Sequence, residues 1–460
     1  MSREFERVHI VGIGGAGMSA IARVLQGQGK TVTGSDRRAS PLVAALQAEG
    51  IAVTVGQAPE AAAAADLVLP SSAVPDADAD VQAALAAGVP VMRRPEFLRE
   101  LTAGYDVIAV AGAHGKTTVT GMIVTVMREA GLDPTFIIGG VAQNLGTNGY
   151  AGQGPHFVIE ADEYQYTFLS LEPWIAVVTN IEYDHPDCFP SPRFLRLAFG
   201  DFVDRIRPDG VLVACNDDRV GHAVAASFHA NGGKLVLYGL DEGIGVAWQA
   251  EDVRPNAAGG SDFVPLRACQ ALPPATLQLA GRHNVLNALA VCAVAEQLAI
   301  PWPVVARGLA AFSGTARRFE VLGEAGGVVV MDDYAHHPTQ IRAVLEAARQ
   351  CYRGQRLVAV WQPHTFSRIR ALRDEFTTAF DGADAVLVLP IYAAREQDDG
   401  TISHRDIAAD IAHPAVEAVD SRAEAVARLL ETVGPGNVVL LMGAGDEYEV
   451  GQALLAQLVE

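Results

Sequence analysis

The stretch Asp106–Thr118 constrains this chain more than any other. Asp106 to Ala111 is a short, β-branched apolar run, the pattern of a strand buried in a parallel sheet. Gly112, Ala113, His114 and Gly115 follow as a turn of small residues. Lys116, Thr117 and Thr118 then open a segment with helical spacing of apolar residues, which Gly131 and Pro134 end. Strand, glycine turn, Gly-Lys-Thr and helix together make a phosphate-binding loop. Backbone N–H groups at the helix N-terminus face anionic oxygens. Lys116 then reaches the β- and γ-phosphates, and the Thr117 hydroxyl is offered to Mg²⁺. The spacing departs from the usual Gly-x4-Gly-Lys-Thr: Val110 stands where the first glycine belongs, and the earlier glycine is Gly112. Lysine usage favours the reading. The chain has three lysines, Lys30, Lys116 and Lys234, and arginine fills the other basic positions.

Towards the N-terminus, Val8 to Ile13 reads as a strand leading into Gly12, Gly14 and Gly17 and an apolar helix to about Gln28. A second strand, Thr31–Thr33, is followed by Gly34, Ser35 and Asp36. This is G-x-G-x-x-G with an acid some twenty residues on, the fingerprint of a diphosphate-nucleotide site. Asp36 could take a ribose hydroxyl. The motif alone leaves a nicotinamide-dependent oxidoreductase open, but such an enzyme leaves Lys116 and Thr117 unexplained. A further strand around Leu67–Leu69 ends in Pro70–Val74, whose Ser71 and Ser72 belong to a loop lining a crevice.

Beyond the phosphate loop, two strand-like runs end in acids: Phe157–Ile159 in Glu160, Asp162 and Glu163, and Ile175–Ile181 in Glu182, Asp184, His185 and Asp187. Oxygen-rich ends with one imidazole, beside a phosphate loop, suit Mg²⁺. Residues 240–275 are weakly patterned and read as an edge β-region. His283, Asn284 and Asn287 open a long helix; the two asparagines share one face and can pair with an adenine edge, or simply cap the helix start. A polar hinge carries Arg317 and Arg318. Four more strands, near 328–331, 356–361, 385–389 and 436–442, end in polar or small residues that face a common crevice. Among them are Asp333, Tyr334, His336, His337, His364, Arg368 and Arg370. His336 and His337 are adjacent and lack a third ligand at metal spacing, so they do not read as a zinc pair.

The totals narrow the function classes. At 460 residues the chain has room for two to four domains. A net charge of −20 excludes nucleic-acid binding through a general basic field. Five cysteines without a C-x-x-C pair read as thiols in a reducing compartment. No apolar run is long enough to span a bilayer, so no membrane insertion is expected. The first residues run straight into a strand without a leader pattern, and a cytoplasmic location is the expectation.

In order, Gly12–Met18, Ala111–Thr118, Glu160–Glu163, Thr179–His185, Gly281–Ala288, Arg317–Phe319, Asp332–Pro338 and Gln362–Arg368 resemble the Mur ligases of cell-wall synthesis across the whole chain. The resemblance implies an α/β protein of three domains. Residues 1–104 would form a Rossmann-like UDP-sugar domain and 105–314 a P-loop ATPase-like domain. Residues 315–460 would form a Rossmann-like domain that closes over the amino acid. It implies ATP, two Mg²⁺ ions and an acyl-phosphate intermediate, in a monomer or homodimer. The pattern is most similar to members that join L-alanine to UDP-N-acetylmuramate. A muropeptide or another amino acid is the alternative substrate. Some members carry a carbamylated lysine, and the absence of lysine between Lys116 and Lys234 agrees with the L-alanine branch. Ala113 stands where relatives often have Thr.

By this resemblance Lys116, His185 and Arg368 are catalytic, and Thr117, Glu160 and His185 hold metal. Gly112, Ala113, His114, Gly115, Lys116, Thr117, Thr118, His283, Asn284, Asn287, Arg318 and Asp333 bind ATP. Gly12, Gly14, Gly15, Ala16, Gly17, Met18, Ser35, Asp36, Ser71 and Ser72 bind the UDP-sugar. His114, Tyr334, His336, Arg368 and Arg370 contact substrate.

Overall fold

The computed structural model describes residues 5–241 and 243–459. Its strands form three sheets, one for each of three α/β domains.

The first sheet is parallel, with Ala52–Val55, Thr31–Asp36, Arg7–Val11 and Leu67–Pro70 side by side in that order. Chain direction across the sheet reverses at Arg7–Val11. The crevice beyond the ends of Arg7–Val11 and Leu67–Pro70 is therefore a topological switch point, where such sheets bind ligands. The first strand stops at Val11, two residues earlier than the sequence suggests, because Gly12 turns the chain at φ +77°. The second strand runs on through Gly34 and Ser35 to Asp36, paired with Ile10 and Val11.

In the second sheet Asp106–Ala111 lies between His156–Glu160 and Ile175–Val178, all parallel. The two acid-bearing strand ends thus flank the phosphate loop, as expected. The strand is buried on both faces: Val107, Ala109 and Ala111 enter one core, Ile108 and Val110 the other. That is why its sequence is a continuous apolar run rather than an alternating one. Residues 246–277 form the antiparallel edge region foreseen from their weak pattern.

The hairpin of Thr135–Ala142 and Thr147–Tyr150 was not legible. Its glycines dilute any alternation. It docks the first domain onto the second: Asn148 Nδ2 donates to Ala16 O at 2.8 Å and to Ser19 Oγ at 3.1 Å in the helix Ala16–Gly27. A Cβ on Gly149 would stand 2.4 Å from Ala20 O. Gly149→Ala should therefore wedge the hairpin off the helix and cost about 1–3 kcal/mol. Urea midpoints of variant and parent check this.

The third sheet runs Glu320–Ala325, Val328–Asp333, Asn437–Met442, Arg356–Trp361, Ala385–Val388, Val416–Ala418. Only Glu320–Ala325 is antiparallel. This strand and Val416–Ala418, both at edges, were not anticipated. Among the described residues, no helix is long and apolar enough to cross a membrane.

Candidate active site

Gly115 caps the helix Lys116–Glu129 at φ +83°. The loop before it is held by the next strand end: Ala113 N–H donates to Asn180 O at 3.0 Å and His114 N–H to Asn180 Oδ1 at 2.9 Å. Lys116 Nζ donates to Gly112 O and, at 2.9 and 3.0 Å, to both Glu163 oxygens. Burial alone would lower the Lys116 pKa, but Glu163, Glu160 and Asp162 outweigh it and hold the ammonium above its usual range. Burial likewise pushes both neighbouring carboxyls up. Arg94 and Lys116 pull Asp162 back below the ordinary value, while Glu163 stays above it.

Thr117 Oγ1 donates to Glu160 Oε2 at 2.9 Å, and that oxygen also accepts from Gly139 N–H at 2.8 Å. His185 adopts φ +55°, uncommon for a non-glycine residue. Its Nε2 lies 3.7 Å from Glu163 Oε1, and its buried Nδ1 has no partner. The structure thus pairs Thr117 with Glu160 but sets His185 against Glu163, a residue the sequence had placed nearby without a role.

Beside the loop is a cavity of about 480 Å³, lined among others by His114, Gly115, Thr118, His283, Asn284, Asn287, Arg318 and Asp333. The two asparagines do share a face. Asn287 Nδ2 donates to Asn284 Oδ1 at 3.2 Å, and Asn287 Oδ1 would stand 2.7 Å from a Cβ on Gly115. Asn287 therefore braces the phosphate loop as well as lining the cavity. Asp333 is raised to about 6 by burial, against the pull of Arg318, and accepts from the Phe319 and Ala335 N–H groups at 2.7 and 2.8 Å. His283 lies on the cavity wall and is itself exposed.

The buried His337 has a shift with a readable sign: it is pushed down to about 4, mainly by burial and further by His114. Unfolded, this imidazole titrates near 6.5 and takes up protons that the folded form refuses until about pH 4. Its stabilising contribution is complete above pH 6.5 and lost as pH falls towards 4. The stability gap between the parent and His337→Gln, read from urea midpoints, should narrow from pH 7.5 to pH 5.

The third domain grips the segment Glu182–Asp187 along its length. Thr339 Oγ1 donates to Glu182 at 2.6 Å, His337 Nε2 to Tyr183 O at 3.2 Å, and Arg368 Nε to Asp184 Oδ1 at 2.7 Å. Arg395 meets Asp187 at 2.6 and 2.9 Å, and Gln340 Nε2 donates to His114 Nδ1 at 2.9 Å. His185 sits in the middle of this strip. His336 Nδ1–H donates to Tyr334 O at 2.8 Å, which leaves Nε2 facing Asp184 at 4.0 Å. Burial pushes the Asp184 carboxyl up, but Arg368, His185 and His336 outweigh it and hold it well below the usual range.

His114, Glu182 and His337 bring three donor atoms within 4.8 Å of one another. They are nevertheless committed to the seam. His337 Nδ1 accepts from Thr339 N–H at 3.3 Å, and His114, accepting at Nδ1, has Nε2–H left for Glu182 at 2.7 Å. We read this group as an interdomain hydrogen-bond seam and not as a metal centre.

Three expected substrate residues fall outside the site. Arg370 is exposed and pairs with Asp399 at 3.0 Å and Thr401 at 2.8 Å. Two positions along the helix Phe366–Ala371 turn it to the side opposite the buried Arg368. Met18 is 3 % exposed and packs in the core, on the helix face it shares with Ile21 and Leu25. The buried Ser35 hydroxyl donates to Asp80 at 2.5 Å, inside the first domain. Asp36 stays at the crevice, where Oδ2 accepts from Gly14 N–H at 2.8 Å, and Ser71 abuts Gly12.

Three family models match the chain in succession: the Mur ligase family catalytic domain over residues 7–106, the Mur ligase middle domain over 110–295, and the Mur ligase glutamate ligase domain over 317–445. The chain is 43 % identical to the UDP-N-acetylmuramate–L-alanine ligase of Frankia casuarinae, with 98 % of each chain covered. It is 40 % identical to that of Mycolicibacterium smegmatis, over 99 % of this chain and 95 % of the relative. Among solved structures, the UDP-N-acetylmuramate-alanine ligase MurC of Thermotoga maritima superposes with a TM-score of 0.83 at 27 % identity, covering 99 % of both chains. A murein peptide ligase of Psychrobacter arcticus does so at 0.75 and 26 %, again over 99 % of both. Matched from first domain to last, this chain belongs to the Mur ligase family.

Proposed function

We propose that this chain joins L-alanine to UDP-N-acetylmuramate, driven by cleavage of ATP to ADP and phosphate, in peptidoglycan precursor synthesis. The observation that carries the reading is Lys116: a largely buried ammonium at a phosphate loop, with Glu163 from one flanking strand end and His185 from the other beside it. We set the domain limits at 1–104 for the UDP-sugar, 105–314 for ATP and 315–460 for the amino acid.

In the first step a muramoyl carboxylate oxygen attacks the γ-phosphorus, the bond to the β-phosphate oxygen breaks, and ADP leaves. Lys116 exchanges Glu163 for the transferred phosphoryl and offsets the charge that develops there. In the second step the unprotonated amine of L-alanine attacks the acyl carbon. The tetrahedral intermediate then gives up the surplus proton of the amine nitrogen, expels phosphate, which takes up that proton, and leaves an amide. The seam along Glu182–Asp187 keeps water from the acyl phosphate, which would otherwise hydrolyse.

The residues fit magnesium. Thr117 Oγ1 and Glu160 Oε2 are hard oxygens 2.9 Å apart, and His185 Nε2 lies 3.7 Å from Glu163 Oε1 and 3.9 Å from Asp184 Oδ2, with its Nδ1 unpartnered. Two ions are proposed, one held by Thr117 and Glu160, the other by Glu163 and His185. Bound magnesium supplies neutralisation of the nucleotide's phosphate charge.

The first-domain loop supports this substrate over the muropeptide alternative, whose ligases typically have Cys and Phe at the positions of Gly14 and Gly17. A Cβ on Gly14 would stand 2.8 Å from both Asp36 Oδ2 and Val43 Cγ2, and one on Gly17 3.2 Å from Arg94. Side chains do not fit there without rearrangement. The test is a panel of amino acids with labelled UDP-N-acetylmuramate. L-alanine should give product fastest; turnover with a tripeptide-bearing substrate alone would reverse the choice.

A further inference from the structure

Arg94 acts in the second domain's site only through its charge beside Asp162. It opens the helix Arg94–Leu101 where the chain leaves the first sheet. Its guanidinium lies over Gly17, with Nη2 3.2 Å from where a Cβ on that glycine would stand. The other nitrogen, Nη1, is 3.3 Å from Asp162 Oδ2 in the second domain. Among the described residues this is its one hydrogen bond, and Nε is buried without a partner.

The neighbouring Arg93 is different. Its donors go to Val74 O at 3.0 Å, Ser71 O at 3.4 Å and the Asp76 carboxylate, so it builds the wall of the serine loop. Arg94 is left with most of a five-donor planar fork unused. It stands at the glycine loop of a chain whose net charge is −20, where an anion needs a local cation. The single contact to a partly exposed Asp162 is a weak hold on it.

Resting on the UDP-sugar reading above, we propose that Arg94 is the diphosphate clamp of the first domain. Its guanidinium leaves Asp162 and takes two diphosphate oxygens at Gly12–Gly17, the geometry for which arginine is suited and lysine is not. The exchange removes the cation nearest Asp162, which adjoins Glu163 and Lys116. Filling the first domain thus alters the charge beside the phosphate loop of the second.

Calorimetry on the full chain tests this with UDP-N-acetylmuramate, UDP-N-acetylglucosamine (which lacks the carboxylate), UDP and uridine. Arg94→Ala should weaken all three diphosphates by about tenfold or more and leave uridine unchanged. Arg94→Lys should recover only part, since it keeps the charge but not the fork. Equal affinity of parent and Arg94→Ala for UDP overturns the assignment. A loss confined to UDP-N-acetylmuramate also overturns it, because Arg94 would then hold the carboxylate. An equal loss for uridine overturns it too, as a mere packing effect. If the parent itself binds no UDP-sugar, the underlying functional reading fails, which is a distinguishable result.

Discussion

Lys116→Ala should lose ligation by about 10²-fold or more in kcat, with UDP-sugar affinity unchanged. The physical basis is the position of the ammonium. It is held above its ordinary range by three carboxylates, so it stays charged in a largely buried place. Its present partner, Glu163, can be exchanged for a phosphoryl group whose charge grows as the bond to ADP breaks. Such an interaction is stronger in the transition state than in the ground state, and its loss falls on kcat. Removing Lys116 also leaves Glu163 buried with its nearest cation gone, so a thermal melt must accompany the kinetics. Lys116→Arg restores the charge but not the compact shape. It should recover stability more than rate. A Lys116→Ala protein that keeps more than roughly a tenth of the parent kcat would remove Lys116 from this role.

Arg368→Ala should leave UDP-sugar binding near normal, cut ligation strongly, and raise the share of ATP hydrolysed without product. Arg368 is 2 % exposed and bonds Asp184, the residue before His185. Truncating it strands a buried carboxylate, at a cost of about 3–5 kcal/mol, and loosens the strip that holds His185 at φ +55°. Water then reaches the acyl phosphate. The double variant Asp184→Asn/Arg368→Ala separates stability from catalysis. It removes the unpaired charge, so stability should return in part, while coupling stays poor. Wild-type coupling in Arg368→Ala, or loss of UDP-sugar affinity before ligation, would place Arg368 outside the closing site.

The sequence carried the phosphate loop because its strand is buried on both faces and its turn is built of small residues. The acid-bearing strand ends followed from parallel order. What it could not carry was pairing across elements. Glu163 and Asp162 both follow the same strand, and only the fold shows that Glu163 takes Lys116 and His185. Arg368 and Arg370 sit on a six-residue helix, too short for its buried side to be read from apolar spacing. Met18 was legible: Met18, Ile21 and Leu25 recur at helical spacing, and a glycine motif drew attention from that pattern. Arg94 had a weaker signal, a pair of arginines in a strongly acidic chain.

The most direct test of the account is ADP release by the intact protein supplied with ATP, Mg²⁺ and UDP-N-acetylmuramate, with and without L-alanine. The account predicts slow release without the amino acid, fast release with it, and one UDP-N-acetylmuramoyl-L-alanine formed for each ADP. ADP release that ignores both the UDP-sugar and L-alanine, or that rises without amide formation, would contradict it.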